Sequence, residues 1–525
     1  MKSYYKHLKS VEEFGERKTI IKKPILRSSG VFPVIQNKHY SSRINFLGYW
    51  LLKRKIPEVS LTITLRDESG KVLLREIKII DKVKAFSINL KKLLDKIKHN
   101  SNFLGSIETE FNTTRDMVFP YPALVLEYYN KEFNTCVHTI GRIFNDFDDL
   151  QENEEFKVPE TGFDIYESED LCSFLSFVNG PIKNHEGVIK YTVTNSKSEK
   201  SHGSFKLGNI NPFETKWIIF QEHVPDLQKF LDGKHGSISL THNFEGFFPR
   251  FLVGNIQKSF PSISVTHSYY DCTTCKNKSD FWDRINEKHY DSSVYIPIFN
   301  EEKQFTDLMI YPNFSPSDFT LMIQIFEKDG EMVFEKEDFL EVKHANAKLI
   351  KIDFKELLKK NNLLKKFYSG HIITNFKENK IPTRLKFGLN VGINDSKSKL
   401  PCNICFNTKM GNPVLESKPG SFHWAPISKN RNTVITLSNF STIKKYQKDA
   451  KIELNFYRMA DSNHISKNLF LKANSEKRIQ INEDDDLKEF FSSDGWITIK
   501  ANNPYIQGYY FNMHESGSIS GDHFF

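Results

Sequence analysis

The sequence predicts a mainly β protein, built as four tandem β-sandwich-like repeats of about seven strands each with one short helix per repeat. Three observations point there. The chain has 525 residues, too many for one hydrophobic core and suited to about four domains. It carries 45 Phe and 20 Tyr, residues that favour strands and fill sandwich cores. And one local unit recurs four times.

That unit is a short Leu/Phe-rich helical stretch followed by Gly-x-Ile opening a strand. It reads Leu90, Leu93, Leu94, then Gly105 and Ile107; Leu227, Phe230, Leu231, then Gly236 and Ile238; Phe354, Leu357, Leu358, then Gly370 and Ile372; and Leu487, Phe490, Phe491, then Gly495 and Ile497. The four glycines are separated by 131, 134 and 125 residues. Apolar residues at i, i+3 and i+4 make one stripe of a short helix. Asp226, Asp353 and the pair Asp485 and Asp486 stand where a carboxylate caps a helix and meets the positive end of its dipole. The glycine turns the chain into the next strand.

Hairpin signals precede the helix. Leu61–Leu65 alternates, meets Asp67-Glu68-Ser69-Gly70 and continues as VLLREIKII; in the third repeat LMIQIF meets Lys328-Asp329-Gly330 and continues as EMVFEK. Aromatic strands at Phe46, Phe174, Val294 and Ser421 open the units. After the helix a proline recurs with a polar residue beyond it: Pro120 then His138, Pro249 then His267, Pro504 then His523, and Pro382 with Asn407. Asn112 to Thr139 and Thr241 to Ser268 align without a gap. The repeats are placed at 45–165, 166–290, 291–415 and 416–525, with residues 1–44 as an N-terminal arm and linkers at Asp146 to Glu155 and Lys409 to Gly420.

The net charge of +8 is spread over the whole chain, with Lys alternating with Asp and Glu, so no nucleic-acid face is predicted. No run approaches the ~18 apolar residues of a membrane span. The N-terminus has no apolar segment of the secretory kind, and six cysteines are too sparse for a disulfide scaffold. A soluble cytoplasmic protein with reduced thiols is the expectation.

Several constellations could carry chemistry. Cys272-Thr-Thr-Cys275, with His267 before it and His289 after it, is half of a zinc pattern, because zinc takes thiolates and imidazoles in a tetrahedron. The opposing reading is a threonine-rich loop that tolerates cysteine. Cys402 and Cys405 fall in a strand pattern, where i and i+3 face opposite ways, and read as small buried hydrophobes. The repeated histidines His138, His267 and His523 suit acid–base work. The plainer reading is a polar residue that closes a strand and bonds a neighbouring backbone. Arg115 and Asp116 beside Phe119 to Pro122, and the matching Glu245 to Arg250, could bind a carboxylate, a phosphate or sugar hydroxyls; a proline-bent loop with a surface ion pair is the alternative.

No Walker loop, GxGxxG, HExxH or GxSxG motif is present. Three functions compete. The first is a non-catalytic binding or scaffolding protein for a glycan or protein partner, with Tyr121, Trp424 and Arg250 as binding residues. The second is an enzyme with a site between the first two repeats, drawing on His138, His267, Arg115, Asp116, Arg250 and Asp271. The third is a particle or shell component. No organic cofactor is expected.

Overall fold

The computed structural model describes residues 24–118, 123–138, 142–143, 160–244, 247–248, 251–270, 281–284, 286–312, 317–343, 347–382 and 385–525. The chain divides into two compact units, Met1–Tyr270 and Asp271–Phe525. Tyr121, Arg250, Asp271, Cys272 and Cys275 lie outside the described residues.

In the first unit the first sandwich comprises β1 (Arg27–Gln36), β2 (Ser41–Leu47), α1 (Tyr49–Lys53), β3 (Val59–Asp67), β4 (Val72–Ile80), β5 (Ala85–Asn89), α2 (Leu90–Lys96), β6 (Phe103–Asn112), β7 (Val125–Tyr129) and β8 (Asn134–His138). The second comprises β9 (Glu160–Tyr166), β10 (Leu171–Val178), β11 (Asn184–Asn195), β12 (Lys200–Ile210), β13 (Thr215–Ile219), α3 (Leu227–Phe230), β14 (His235–His242), β15 (Leu252–Gln257) and β16 (Ser262–His267).

In the second unit the third sandwich comprises β17 (Ser292–Phe299), β18 (Gln304–Ile310), β19 (Phe319–Phe326), β20 (Met332–Val342), β21 (Ile350–Asp353), α4 (Phe354–Lys360), β22 (Phe367–Phe376), β23 (Lys386–Ile393) and β24 (Cys402–Asn407). The fourth comprises β25 (Ser421–Ile427), β26 (Asn432–Asn439), β27 (Ala450–Arg458), β28 (His464–Leu471), β29 (Glu476–Gln480), α5 (Asp485–Phe490), β30 (Gly495–Ala501), β31 (Ile506–Met513) and β32 (Ile519–His523).

The strand order is the same four times. One sheet reads β1-β6-β3-β4, then β9-β14-β11-β12, β17-β22-β19-β20 and β25-β30-β27-β28. The other reads β5-β2-β7-β8, then β13-β10-β15-β16, β21-β18-β23-β24 and β29-β26-β31-β32. All these pairings are antiparallel. In the second and third sandwiches a two-residue strand, Tyr269–Tyr270 or Lys409–Met410, extends the first sheet beyond β9 or β17.

Each Gly-x-Ile segment lies in the sixth strand of its sandwich. Gly105 pairs with Asp67 and Val34, Gly236 with Asn195 and Ile165, Gly370 with Ile325 and Ile296, and Gly495 with Arg458 and Ile427. The reason for glycine is space. A Cβ at Gly495 would lie 2.2 Å from a ring carbon of Phe491, and one at Gly236 would lie 2.7 Å from a methyl of Leu231. In the second and fourth sandwiches the residue that ends the helix thus drops onto the start of the strand, whereas Gly105 is crowded by the Arg66 carbonyl and Gly370 by Ile296.

The helical stripes face the cores. Leu90, Leu93, Leu94, Leu227, Leu231, Phe354, Leu358, Leu487 and Phe491 are buried, while Phe230, Leu357 and Phe490 are half-buried. The caps differ in detail from the sequence reading. Asp353 accepts the Glu356 amide at 2.9 Å, but in the fourth sandwich Asp484 is the cap, accepting from Leu487 at 3.2 Å. Asn89 caps α2, and Asp226 takes a left-handed conformation with no side-chain cap bond.

Two strand-level expectations need correction. Among the described residues each sandwich has eight principal strands, because a strand of four or five residues precedes each of α2, α3, α4 and α5 and is masked by the helical stripe. And Arg27–Gln36, placed by sequence in an N-terminal arm, is β1, paired along its whole length with β6. Its equivalents are β9, β17 and β25, so the aromatic segments at Phe46 and Phe174 lie in second strands while those at Val294 and Ser421 lie in first strands.

A hydroxyl latch, not anticipated, recurs in all four sandwiches. Ser42, Ser173, Thr306 and Thr433, each near the start of the second strand, are fully buried. Their oxygens accept the amides of Ile35, Tyr166, Phe299 and Ser428 at 2.8 to 3.0 Å. Each bond ties the end of the first strand to the opposite sheet, satisfying an amide that the ladder leaves behind.

Candidate functional site

The most elaborate polar construction in each unit lies where its two sandwiches meet. In the first unit the β3–β4 turn, Asp67-Glu68-Ser69-Gly70, closes with Gly70 at φ +90°. Glu68 presents its carbonyl to the Thr215 amide, the first residue of β13, at 2.9 Å. A Cβ at Gly70 would lie 2.3 Å from the Pro212 carbonyl oxygen, so the turn needs glycine both for its backbone and for the contact. In the second unit the β19–β20 turn does the same. Gly330 has φ +91°, and the Lys328 carbonyl accepts the Glu476 amide, the first of β29, at 3.0 Å.

The loop that receives the turn is held from below by an asparagine. Asn179, just beyond β10, gives its side-chain amide to the carbonyls of Ile182 (3.0 Å), Ile210 (3.2 Å) and Asn211 (2.8 Å), and its backbone amide to Glu214 (2.9 Å). Asn439, closing β26, serves Lys448 (2.8 Å), Leu471 (3.3 Å) and Lys472 (3.1 Å) in the same way, with its backbone amide on Ser475 (3.1 Å). Both side chains are completely buried. Glu68 and Lys328, Gly70 and Gly330, and Asn179 and Asn439 are each 260 residues apart. Beyond β2 and β18, the corresponding strand ends of the first and third sandwiches, stand Gly48 and Tyr311. Among the described residues the receiving loop is thus built in the second and fourth sandwiches.

Apolar and charged contacts flank the interlock. In the first unit the Arg66 guanidinium sits 4.2 Å over the Phe213 ring and 2.8 Å from the Glu108 carboxylate. Burial pushes the Glu108 carboxyl up, with Arg66 opposing. In the second unit Tyr295 stacks on Phe440, and the Tyr509 hydroxyl donates to the Tyr295 carbonyl at 2.8 Å. Glu476 accepts the Ser369 hydroxyl at 2.6 Å through Oε2, while Oε1 has no hydrogen-bond partner among the described residues. Burial raises its carboxyl well above the ordinary range despite Arg478 nearby.

The candidate residues read from sequence fall in several places. Strands β8 and β16 run side by side in the first unit, with Thr135 accepting the Val265 amide at 3.0 Å. This brings together their last residues, His138 and His267, with ring centroids 4.6 Å apart and planes at 85°. His267 Nδ1 lies 2.8 Å from the Ser268 carbonyl and is therefore the donor nitrogen. The enzyme alternative read from sequence draws both histidines into one site, and the pair's chemistry is that of two buried imidazoles edge to face. Asp116 is committed to backbone, accepting the amides of Ile25 (2.9 Å) and Val118 (2.8 Å). Arg115 is exposed, with Nη1 3.4 Å from the Lys55 carbonyl.

Trp424, a binding residue in the sequence reading, is not an exposed ring. It is 5% exposed, packed in the fourth sandwich against Phe422 and Phe525. His289, an optional zinc ligand in the sequence reading, is buried between Asn286 (2.8 Å at Nδ1) and Glu416 (3.2 Å at Nε2). Burial lowers its imidazole below the ordinary value, with Glu416 opposing. Cys402 and Cys405 are buried thiols in β24, as the strand reading expects. No described helix is long and apolar enough to cross a membrane. Neither a family model nor a curated protein matches the chain.

Proposed function

We propose that the chain is a non-catalytic binding or scaffolding protein, built by duplicating a two-sandwich element and serving a protein or glycan partner. The observation that supports this most is the paired interlock. Buried side-chain amides of the kind that an enzyme would aim at a substrate are spent on shaping the loop that receives the backbone turn of the neighbouring sandwich, and the same arrangement is used in both units. A fixed pair of sandwiches is a rigid platform that presents loops at constant spacing, and rigidity lowers the entropic cost of binding. The meeting of His138 and His267 is the observation that favours the alternative, an enzyme in the first unit.

The test is to screen the full chain against immobilised glycans and candidate proteins and to titrate each hit calorimetrically. Saturable binding, with the ligand chemically unchanged by mass spectrometry, is expected. Turnover of any ligand that is abolished by His138→Ala or His267→Ala would overturn the reading in favour of an enzyme.

A further inference from the structure

We propose that β4 pairs antiparallel with β4 of a second copy of this chain, across a two-fold axis at Ile77. The strand is the outermost of its sheet among the described residues. It carries three of the most exposed large apolar side chains in the described chain: Val72 at 45%, Ile77 at 70% and Ile79 at 54%. Its ladder with β3 is regular from Leu74 to Ile80, the irregularity being confined to the turn end. An unbroken edge with exposed isoleucines is a template for another strand.

The equivalent edges of the other sandwiches are blunted. β12 has two register breaks against β11, and Gly208 at φ +65°. β20 has two breaks against β19 and carries Glu335, Glu337, Asp338 and Glu341. β28 has a regular ladder but only one strongly exposed apolar residue, Phe470, with Lys467 and Lys472 near it.

The charge pattern selects a second copy as the occupant. A two-fold axis perpendicular to the sheet keeps facing residues on the same side, so the axis passes through a residue. An axis at Arg75, Glu76 or Lys78 would set that charge against its own copy, which is destabilising. An axis at Ile77 sets Ile77 against Ile77, Glu76 against Lys78 twice, Arg75 along Ile79, and Leu74 against Ile80. Glu76 already draws Lys96 on its own chain, while Lys78 stands exposed on the same face. A contact of this length lies at the small end of specific interfaces, so the dimer is weak and concentration-dependent.

Sedimentation of the full chain over a range of concentrations tests this. The wild type is expected to move from monomer to dimer as concentration rises. Ile77→Lys, Glu76→Lys alone and Lys78→Glu alone are each expected to stay monomeric over that range. Mixing the Glu76→Lys and Lys78→Glu variants restores opposite charges at both positions, so a heterodimer is expected, and its recovery shows that both variants are folded. A wild type that is monomeric throughout overturns the proposal and leaves the edge to a foreign strand. So does a dimer that survives Ile77→Lys, or a mixture that fails to associate.

Discussion

Replacing Asn439 by alanine measures what the interlock is worth. The side-chain amide of Asn439 serves three backbone carbonyls, and its Oδ1 accepts the Tyr446 hydroxyl at 2.7 Å and the Asn503 amide at 3.2 Å. Asn503 keeps other acceptors after truncation, namely the Tyr446 oxygen and the carbonyls of Lys448 and Asp449. The loss therefore falls on the three carbonyls and the Tyr446 hydroxyl proton. A buried polar group left without a partner costs about 1–3 kcal/mol, and carbonyls with a second bond or access to water lie at the low end. Four groups at about 1 kcal/mol each, the low end, give a total of about 4 kcal/mol. For a unit of 255 residues, Asp271–Phe525, 1 kcal/mol moves the midpoint by about 2–4 °C, so the unfolding transition of that unit falls by about 8–16 °C. Asn439→Asp separates bonding from packing, since it keeps the shape but turns the donor into an acceptor facing three carbonyls. Scanning calorimetry with urea unfolding reads both. If Asn439→Ala or Asn439→Asp unfolds with the wild type, the asparagine does not hold the receiving loop and the reasoning fails.

Other perturbations follow from the same packing. Glu167 is buried, accepts the Ser173 amide at 2.9 Å through Oε1, and has no partner for Oε2 among the described residues. Burial raises its carboxyl to about 7 against the lowering effect of the Ser173 amide and Lys258. The folded state therefore holds a proton that the unfolded chain has released, so stability falls as pH rises from about 4.5 to 7, by about 3 kcal/mol in all; Glu167→Gln should flatten that slope in urea titrations at several pH values. Gly495→Ala forces a methyl to within 2.2 Å of Phe491 and 2.4 Å of the Tyr457 carbonyl, so a loss of about 1–3 kcal/mol is expected in thermal unfolding. Thr433→Val keeps the shape of the latch but removes the acceptor of the Ser428 amide and the donor to Asn512 (2.6 Å), and should cost about 1–3 kcal/mol.

The β class was legible because it rests on side-chain pattern, and the fourfold period read from that pattern is compatible with the four like strand orders. A stripe of Leu and Phe must face a core, and a glycine must stand where Phe491 or Leu231 needs its space. β1 was hidden because half its early positions are small and polar: Ser28 and Ser29 are completely or nearly buried, while Gly30 and Pro33 read as loop. The short strands before the helices were hidden by the helical stripe that follows them. The interlock left a fainter trace. Its key bonds join backbone to backbone, from Thr215 to Glu68 and from Glu476 to Lys328, and backbone groups carry no residue signature. Only Gly70, Gly330, Asn179 and Asn439 mark it, at a spacing of 260 residues that spans two repeats. The candidate site fared worst, because proximity of His138 to His267 depends on how β8 and β16 lie side by side, while Trp424 reads as a surface ring until its neighbours in the fold are known.

Hydrogen exchange at the amides of Thr215 and Glu476 tests the central claim most directly. Each begins a strand beside a surface turn, a position that ordinarily exchanges fast, yet each donates to the turn of the neighbouring sandwich. The paired-sandwich account expects both amides to exchange as slowly as the core strands β10 and β26, and to speed up together with the receiving loop in Asn179→Ala and Asn439→Ala respectively. Fast exchange at either amide while β10 and β26 remain protected would contradict it, since the sandwiches would then be joined without the interlock.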